Sequence, residues 1–261
     1  MMNETQLQHY FDADTWARIK AVAKAYDGTF NDSPLLAYTF VDFFSGYHSQ
    51  ANAVCLQPDG KIVAVGRNYV DHAEEMASDV PEEPLIFMKP ATAVIGPDSR
   101  VVLPPLSQEV HHEGELAVVM GKVARNVPAE DASQYVFGYT AANDVTARLW
   151  QTRTGPPLWM RGKGFDTFCP LGPAIDTDLD PQEGLAVISR VNGETRQSGS
   201  TADLVFGVGE LVSFVSSIMT LLPGDIVLTG TPSGVGPIVP GDRVEVEVEG
   251  VGVLMNPVVE A

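Results

Sequence analysis

Two glutamates one residue apart stand at the start of an apolar run, in the stretch H-H-E-G-E-L-A-V-V-M-G from His111 to Gly121. On a β-strand, side chains at i and i+2 point to the same face, so Glu113 and Glu115 project together and Gly114 leaves the opposite face open. Two carboxylates held this close repel each other, and one takes up a proton unless a cation lies between them. The pair therefore indicates either a divalent-metal site or a solvated strand end.

A third carboxylate favours the metal site. Asp144 lies among small, apolar and neutral residues, where an unpaired charge is costly. With Glu113 and Glu115 it could complete an all-oxygen ligand set, which suits Mg2+ or Mn2+ and leaves room for a chelating substrate. The neighbours His111 and His112 cannot both reach one metal, because consecutive side chains on a strand point to opposite faces.

Two further clusters carry groups that could move protons or bind anions. His72 and Glu75 are three residues apart, so on a helical turn they face the same way and can form a general base. A solvated helix end with a stray histidine is the alternative. Arg161 and Lys163 lie among glycines and aromatic residues in a chain with few cations, which favours contact with an anion. The glycine-rich turn at Thr229–Gly236 lacks the Walker pattern, which disfavours a nucleotide loop.

The composition limits the class of partner. The chain of 261 residues carries 34 Asp and Glu against 16 Lys and Arg, a formal net charge of -18. Such a surface repels nucleic acid and anionic membranes, so we expect neither as a partner. The 2 cysteines lack CxxC spacing, which indicates neither a disulfide framework nor a zinc site. No apolar run approaches the roughly 18 residues of a membrane span, and a cytoplasmic location is the default expectation.

The elements that must position these residues are mainly strands. From Ile62 onward, short apolar runs alternate with Pro and Gly, which predicts a mainly β domain with some helix, the α+β class. Strict alternation of Val and Glu from Val244 to Val248 predicts a strand with one buried and one wet face. Helical spacing predicts helices at Ala129–Tyr135 and Leu204–Leu222.

The N-terminal part has a different sequence pattern. Residues 12–26 place apolar side chains at helical spacing after Asp14, a candidate N-cap, and predict a short amphipathic helix. The aromatic-rich segment Leu35–Tyr47 could be helix or strand. We therefore divide the chain into a helical or irregular segment, residues 1–60, and a main domain, residues 61–261.

The polar clusters occur in five sequence blocks that together resemble the fumarylacetoacetate hydrolase superfamily. The blocks are G-R-N-Y-V-D-H-A-E-E-M, P-L-I-F-M-K-P, H-H-E-G-E-L-A-V-V-M-G, N-D-V-T-A-R and L-T-G-T-P-S-G-V-G, within a match that runs from about Val65 to the end. The resemblance implies a mixed β-sandwich roll as the catalytic domain, a homodimer, and Mg2+ or Mn2+ bound by Glu113, Glu115 and Asp144.

The resemblance also implies roles for other polar residues. His72 and Glu75 form a water-activating dyad on a segment that orders over the substrate, and Lys163 contacts the developing anion. The implied substrate-binding residues are Arg67, Tyr69, Arg148, Gln151 and Thr231.

These roles predict a metal-dependent enzyme that acts on a 2-oxo acid with a second carbonyl or carboxylate, such as an acylpyruvate or oxaloacetate. A carbon–carbon bond breaks through an enolate, by hydrolysis or decarboxylation. One alternative is an isomerase or tautomerase of the 2-hydroxyhepta-2,4-diene-1,7-dioate type, which the segment R-G-K-G-F-D-T-F-C-P-L-G-P resembles. The other is a non-catalytic metal- or ligand-binding protein on the same fold.

Overall fold

The computed structural model describes residues 60–152 and 158–261. The helix predicted at residues 12–26, the segment Leu35–Tyr47 and Cys55 lie outside these ranges. The described part consists mainly of strands in mixed sheets with a few short helices, so the predicted α+β class is confirmed. The division of the chain near residue 60 stays a prediction.

Fifteen strands and four α-helices form the described part of the fold. In chain order the strands are β1 (Ile62–Gly66), β2 (Leu85–Lys89), β3 (Val94–Ile95), β4 (Val101–Leu103), β5 (Val110–His112), β6 (Gly114–Met120), β7 (Val136–Asn143), β8 (Thr146–Ala147), β9 (Cys169–Asp176), β10 (Ala186–Val191), β11 (Glu194–Ser200), β12 (Ile226–Leu228), β13 (Gly236–Pro237), β14 (Arg243–Val248) and β15 (Gly252–Glu260). The α-helices are α1 (Val70–Glu75), α2 (Arg148–Thr152), α3 (Trp159–Lys163) and α4 (Val208–Ile218). Short 3-10 helices cover Ala91–Ala93, Ala129–Tyr135, Pro181–Glu183 and Thr201–Asp203.

The described strands form three sheets. A seven-stranded sheet has the order β2-β1-β12-β6-β7-β9-β3, a five-stranded sheet the order β11-β10-β14-β15-β4, and a three-stranded sheet the order β13-β5-β8. The neighbours β1 and β12, β3 and β9, and β4 and β15 run parallel, whereas the other pairs are antiparallel. The central position of β6 and β7 in the largest sheet places the E-x-E pair and Asp144 inside the molecule.

The strand that begins with the E-x-E pair is buried on both faces. Leu116 and Val118 pack in the main core between the seven-stranded and five-stranded sheets, whereas Ala117 packs in a second apolar cluster on the opposite face. Because residues two apart share a face, Glu113 and Glu115 lie on the side of Ala117. The two carboxylates therefore lie at one end of an apolar face of the sheet, and this strand end is not solvated.

The expectation that Gly114 leaves an open face is wrong. A Cβ atom on Gly114 would lie 3.2 Å from Ser189 Cβ and 3.2 Å from Val246 Cγ1, because the five-stranded sheet packs against this position. The close approach of the two sheets therefore leaves little room for a larger side chain at this position.

The predicted β14 strand and the predicted helical segment Ala129–Tyr135 are confirmed, whereas the bounds of the other predicted helix need correction. Val244, Val246 and Val248 are buried and the glutamates between them are half-buried. The helix predicted at Leu204–Leu222 is shorter in the structure, where α4 covers Val208–Ile218. Leu204 and Leu221 instead form β-bridges with other segments. Ala129–Tyr135 is a 3-10 helix. Among the described helices, α4 is the longest with 11 residues, and none could cross a membrane.

Candidate active site

Three buried carboxylates meet at one end of β6. Glu113, Glu115 and Asp144 each place a carboxylate oxygen within 4.8 Å of the other two. Their exposed fractions are 4%, 1% and 1%. The structure thus brings together the three residues that we predicted as metal ligands.

Antiparallel pairing of β6 with β7 explains this arrangement. Gly114 pairs with Asn143, so the residue before β6 lies opposite the residue after β7. The Asp144 N–H donates to the Glu113 carbonyl at 2.8 Å, and the Glu113 N–H donates to Asn143 Oδ1 at 2.9 Å. The strand register therefore fixes the backbone of two candidate ligands against each other.

The donor set fits a hard divalent cation, since carboxylate oxygens are preferred ligands of Mg2+ and Mn2+. Burial raises the pKa of Glu115 well above its usual range, and the carboxylates of Asp144 and Glu113 raise it further. The Gly230 N–H, which donates to Glu115 Oε2 at 2.7 Å, opposes this shift. A bound cation would therefore favour the ionised form of Glu115.

Lys163 bridges two of the three carboxylates, Glu113 and Asp144. Its Nζ donates to Glu113 Oε2 and Asp144 Oδ2, at 2.6 Å each, and to Thr146 Oγ1 at 2.7 Å. Burial lowers the pKa of Lys163, but Asp144 and Glu113 outweigh burial, so that the pKa lies above its usual value. The lysine predicted to contact an anion is therefore a buried ammonium group in the site.

Arg148 binds the other side of Glu113. Its Nη2 lies 2.5 Å from Glu113 Oε1, and its remaining nitrogens donate to His111 Nδ1 and Gln151 Oε1. Burial alone would raise the pKa of Glu113, but Lys163 and Arg148 outweigh it and hold the pKa well below its usual range. Glu113 thus stays ionised.

The predicted histidine–glutamate pair forms on α1. His72 Nδ1 lies 3.1 Å from Glu75 Oε2, which confirms the helical turn and the hydrogen bond. The Gly234 N–H donates to both carboxylate oxygens of Glu75, at 3.1 and 3.2 Å. His72 also contributes to the low pKa of Glu113, after the larger contributions of Lys163 and Arg148.

The remaining predicted substrate-binding residues differ in their surroundings. Arg67 has a positive φ of 57° and its guanidinium lies 5.7 Å from the centre of the Trp159 ring. Tyr69 is buried, and its hydroxyl has no hydrogen-bond partner among the described residues. Thr231 donates its hydroxyl proton to the Gly114 carbonyl at 2.8 Å, so that proton is already used within the protein.

The two neighbouring histidines contact different groups, as their opposite strand faces predict. His111 binds Glu109 and Arg148, whereas His112 is fully buried beside Gln197. Arg161 is exposed and stacks on Trp150 at 5.0 Å, away from the lysine with which we grouped it.

The model of the fumarylacetoacetate (FAA) hydrolase C-terminal family matches residues 61–259. The chain belongs to the fumarylacetoacetate hydrolase family. The matched range contains all the residues that we predicted as site residues.

Similar proteins in this family carry different reaction names. Human mitochondrial oxaloacetate tautomerase FAHD2A is 50% identical over 213 residues, which cover 78% of this chain and 67% of the relative. The crystal structure of 5-carboxymethyl-2-hydroxymuconate delta-isomerase from Mycobacterium smegmatis has 50% identity and a TM-score of 0.73 over 79% of both chains. Fumarylpyruvate hydrolase from Pseudomonas aeruginosa, in complex with Mn2+ and pyruvate, has 34% identity and a TM-score of 0.75, covering 84% of this chain and 99% of that one. This chain is thus a fumarylacetoacetate hydrolase family enzyme.

Sequence reasoning missed two residues that hold the site together. The side chain of Lys89 is fully buried and its Nζ lies 2.5 Å from Asp144 Oδ1. Asn143 fixes the Glu113 N–H. A lysine at the end of the apolar strand L-I-F-M-K is a usable signal, because lysine is almost never fully buried without a partner.

Proposed function

We propose that this enzyme converts a 2-oxo dicarboxylate of the oxaloacetate type into its enolate, with Mg2+ or Mn2+ held by Glu113, Glu115 and Asp144. The observation that carries the proposal is the buried cluster of these three carboxylates, two of which, Glu113 and Asp144, are bridged by Lys163. A divalent metal, when bound, supplies a Lewis acid that polarises the 2-oxo group.

The charges of the site support an anionic substrate. Lys89 and Lys163 form ion pairs with Asp144, and Lys163 and Arg148 form ion pairs with Glu113, so three cationic side chains face these two carboxylates. A divalent ion would leave the site with an excess of positive charge. The enolate of a 2-oxo dicarboxylate carries three negative charges, one on each carboxylate and one on the enolate oxygen, and this negative charge complements the loaded site.

The protein groups can perform the proton transfer that enolisation needs. Glu75 holds His72 through the bond to Nδ1, and a histidine paired with a carboxylate suits a general base near neutral pH. In tautomerisation the base removes a proton from the carbon next to the 2-oxo group and returns it to the enolate oxygen. Lys163 and Arg148 would stabilise the negative charge that develops.

We place tautomerisation or isomerisation before cleavage, because the 50%-identical relatives are named oxaloacetate tautomerase and delta-isomerase. Hydrolysis of an acylpyruvate, in which His72 and Glu75 take a proton from water, is the second candidate. It is supported by the similarity to fumarylpyruvate hydrolase. Oxaloacetate decarboxylation uses the same enolate.

NMR of the products tests the proposal. Oxaloacetate and a set of 2,4-dioxo acids are incubated with the chain and Mg2+ or Mn2+. Faster keto–enol exchange without a change in mass supports the tautomerase, and release of pyruvate supports cleavage. Absence of any turnover would refute the proposed function and support a non-catalytic ligand-binding protein.

The predicted homodimer and cytoplasmic location belong to the same proposal. Light scattering on the purified full-length chain tests the dimer, and a mass of one 28.0 kDa chain would refute it. We expect neither nucleic acid nor membrane as a partner, given the net charge of -18.

A further inference from the structure

A buried amide on the five-stranded sheet connects the separate parts of the site. Gln197 is fully buried, whereas every other residue of β11 is at least partly exposed. Its Oε1 accepts the Gly114 N–H at 2.9 Å, and its Nε2 donates to Thr231 Oγ1 and the Pro232 carbonyl, both at 2.7 Å. One side chain thus binds both the E-x-E segment and the loop that follows β12.

These bonds control the two peptide groups that join Glu113 to Glu115. Gln197 binds the Gly114 N–H directly, and Thr231, which Gln197 holds, donates to the Gly114 carbonyl at 2.8 Å. The direction of the chain between the two carboxylates is therefore set from the second sheet.

The loop that Gln197 holds also binds two carboxylates of the site. The Gly230 N–H donates to Glu115 Oε2, and the Gly234 N–H donates to Glu75. Gly234 has a φ of +98°, and a Cβ atom on it would lie 2.0 Å from the Arg196 carbonyl. The loop therefore rests directly on the backbone beside Gln197.

We infer that Gln197 is a positioning residue that sets the geometry of the metal ligands, an inference that rests on the proposed metal-dependent function. It acts through the backbone of Gly114 and through Thr231. Loss of hydrogen-bond partners behind metal ligands typically lowers metal affinity about 10- to 100-fold. Because Gln197 binds no ligand oxygen itself, we expect the lower end, about 10-fold.

The test is titration calorimetry of Mn2+ into the metal-free full-length chain and its Gln197→Met variant, which keeps the side-chain length and removes the hydrogen bonds. Asn256→Leu is the matched control, because Asn256 is also a buried amide, whose Nδ2 donates to the Gly96 and Ser99 carbonyls at 2.9 Å each. We expect about 10-fold weaker Mn2+ binding for Gln197→Met and wild-type affinity for Asn256→Leu. The EPR spectrum of saturating Mn2+ should change only in Gln197→Met.

Wild-type Mn2+ affinity in Gln197→Met, or an equal loss in both variants, overturns the inference and leaves the proposed function standing. A wild-type chain that binds no Mn2+ overturns both. If Gln197→Met does not fold, Thr231→Val takes its place in the titration. Thr231→Val removes only the hydrogen bond to the Gly114 carbonyl and the hydrogen bond that Gln197 donates to Thr231. Weaker Mn2+ binding by Thr231→Val supports the inference, and unchanged binding overturns it.

Discussion

The carboxylate cluster and the His72–Glu75 pair are positioned by different kinds of structure. Glu115 and Asp144 are each 1% exposed, on or next to paired central strands of a seven-stranded sheet. His72 and Glu75 lie on a helix of six residues, and the Glu75 side chain is 32% exposed. A helix this short is not stable by itself and depends on tertiary contacts, here the bond from the Gly234 N–H.

The contrast predicts that the proposed metal binding and the proposed proton transfer are separable. Strand register fixes the candidate ligands, so they need no ordering by substrate. The proposed base lies on this short helix and not on a central strand. Substitutions in the two regions should therefore change different measurements.

The largest effect is expected for Glu115→Gln, which keeps the shape of the side chain and removes one anionic donor. Mn2+ binding measured by calorimetry and all metal-dependent turnover should be lost, because neutral amides are weaker ligands for hard cations. Glu247→Gln, in a partly exposed pair with Arg190, is the control and should behave as wild type. Metal-dependent turnover by Glu115→Gln would contradict the assignment.

The next effect concerns the short helix. His72→Asn should lower kcat about 100- to 10,000-fold, the usual contribution of a general base, without changing Mn2+ affinity. Asp71→Asn changes an exposed neighbour on the same helix and should leave both quantities unchanged. An equal loss of Mn2+ binding in His72→Asn would show that the two regions are not separable.

Lys163→Met tests whether a residue of the carboxylate cluster contributes to turnover without contributing to metal binding. Turnover should fall about 100- to 1000-fold, as for loss of one oxyanion donor, while Mn2+ still binds. Arg161→Met on the same helix is the control, because Arg161 is exposed and stacks on Trp150. Unchanged turnover would remove Lys163 from the mechanism.

The smallest of these effects is expected for Lys89→Met, measured as the free energy of unfolding in denaturant. Loss of the buried partner of Asp144 should destabilise the metal-free chain by about 1–3 kcal/mol, since Asp144 keeps its bond to Lys163. Arg243→Met breaks a partly exposed pair with Glu245 and should change stability by only about 0–1 kcal/mol. Equal effects of the two substitutions would show that burial of Lys89 contributes nothing.

The local parts of the site could be predicted from the sequence. The alternation of side chains on a strand places Glu113 and Glu115 on one face, and the spacing of three residues joins His72 to Glu75. Both predictions depend only on the geometry of a single element. The identity of Asp144 as the third carboxylate came from its apolar surroundings and was supported by the resemblance to the family.

The rest depends on pairing between distant segments, which the local pattern does not encode. Lys89 meets Asp144 across 55 residues, and Gln197 reaches Gly114 across 83. The same limit explains the wrong prediction at Gly114. We expected an open face there, but the second sheet packs against it. It also explains the predicted helix Leu204–Leu222, which ends early because Leu221 pairs with Ala124.

A crystal structure with Mg2+ and oxalate tests the central claim most directly, because oxalate imitates the chelating end of a 2-oxo acid enolate. The account predicts one Mg2+ with an oxygen of Glu113, Glu115 and Asp144 at about 2.0–2.1 Å each and oxalate on the remaining positions. An ion held by other residues, or Glu113 and Asp144 still paired only with Lys163, Lys89 and Arg148 in saturating Mg2+, would contradict it.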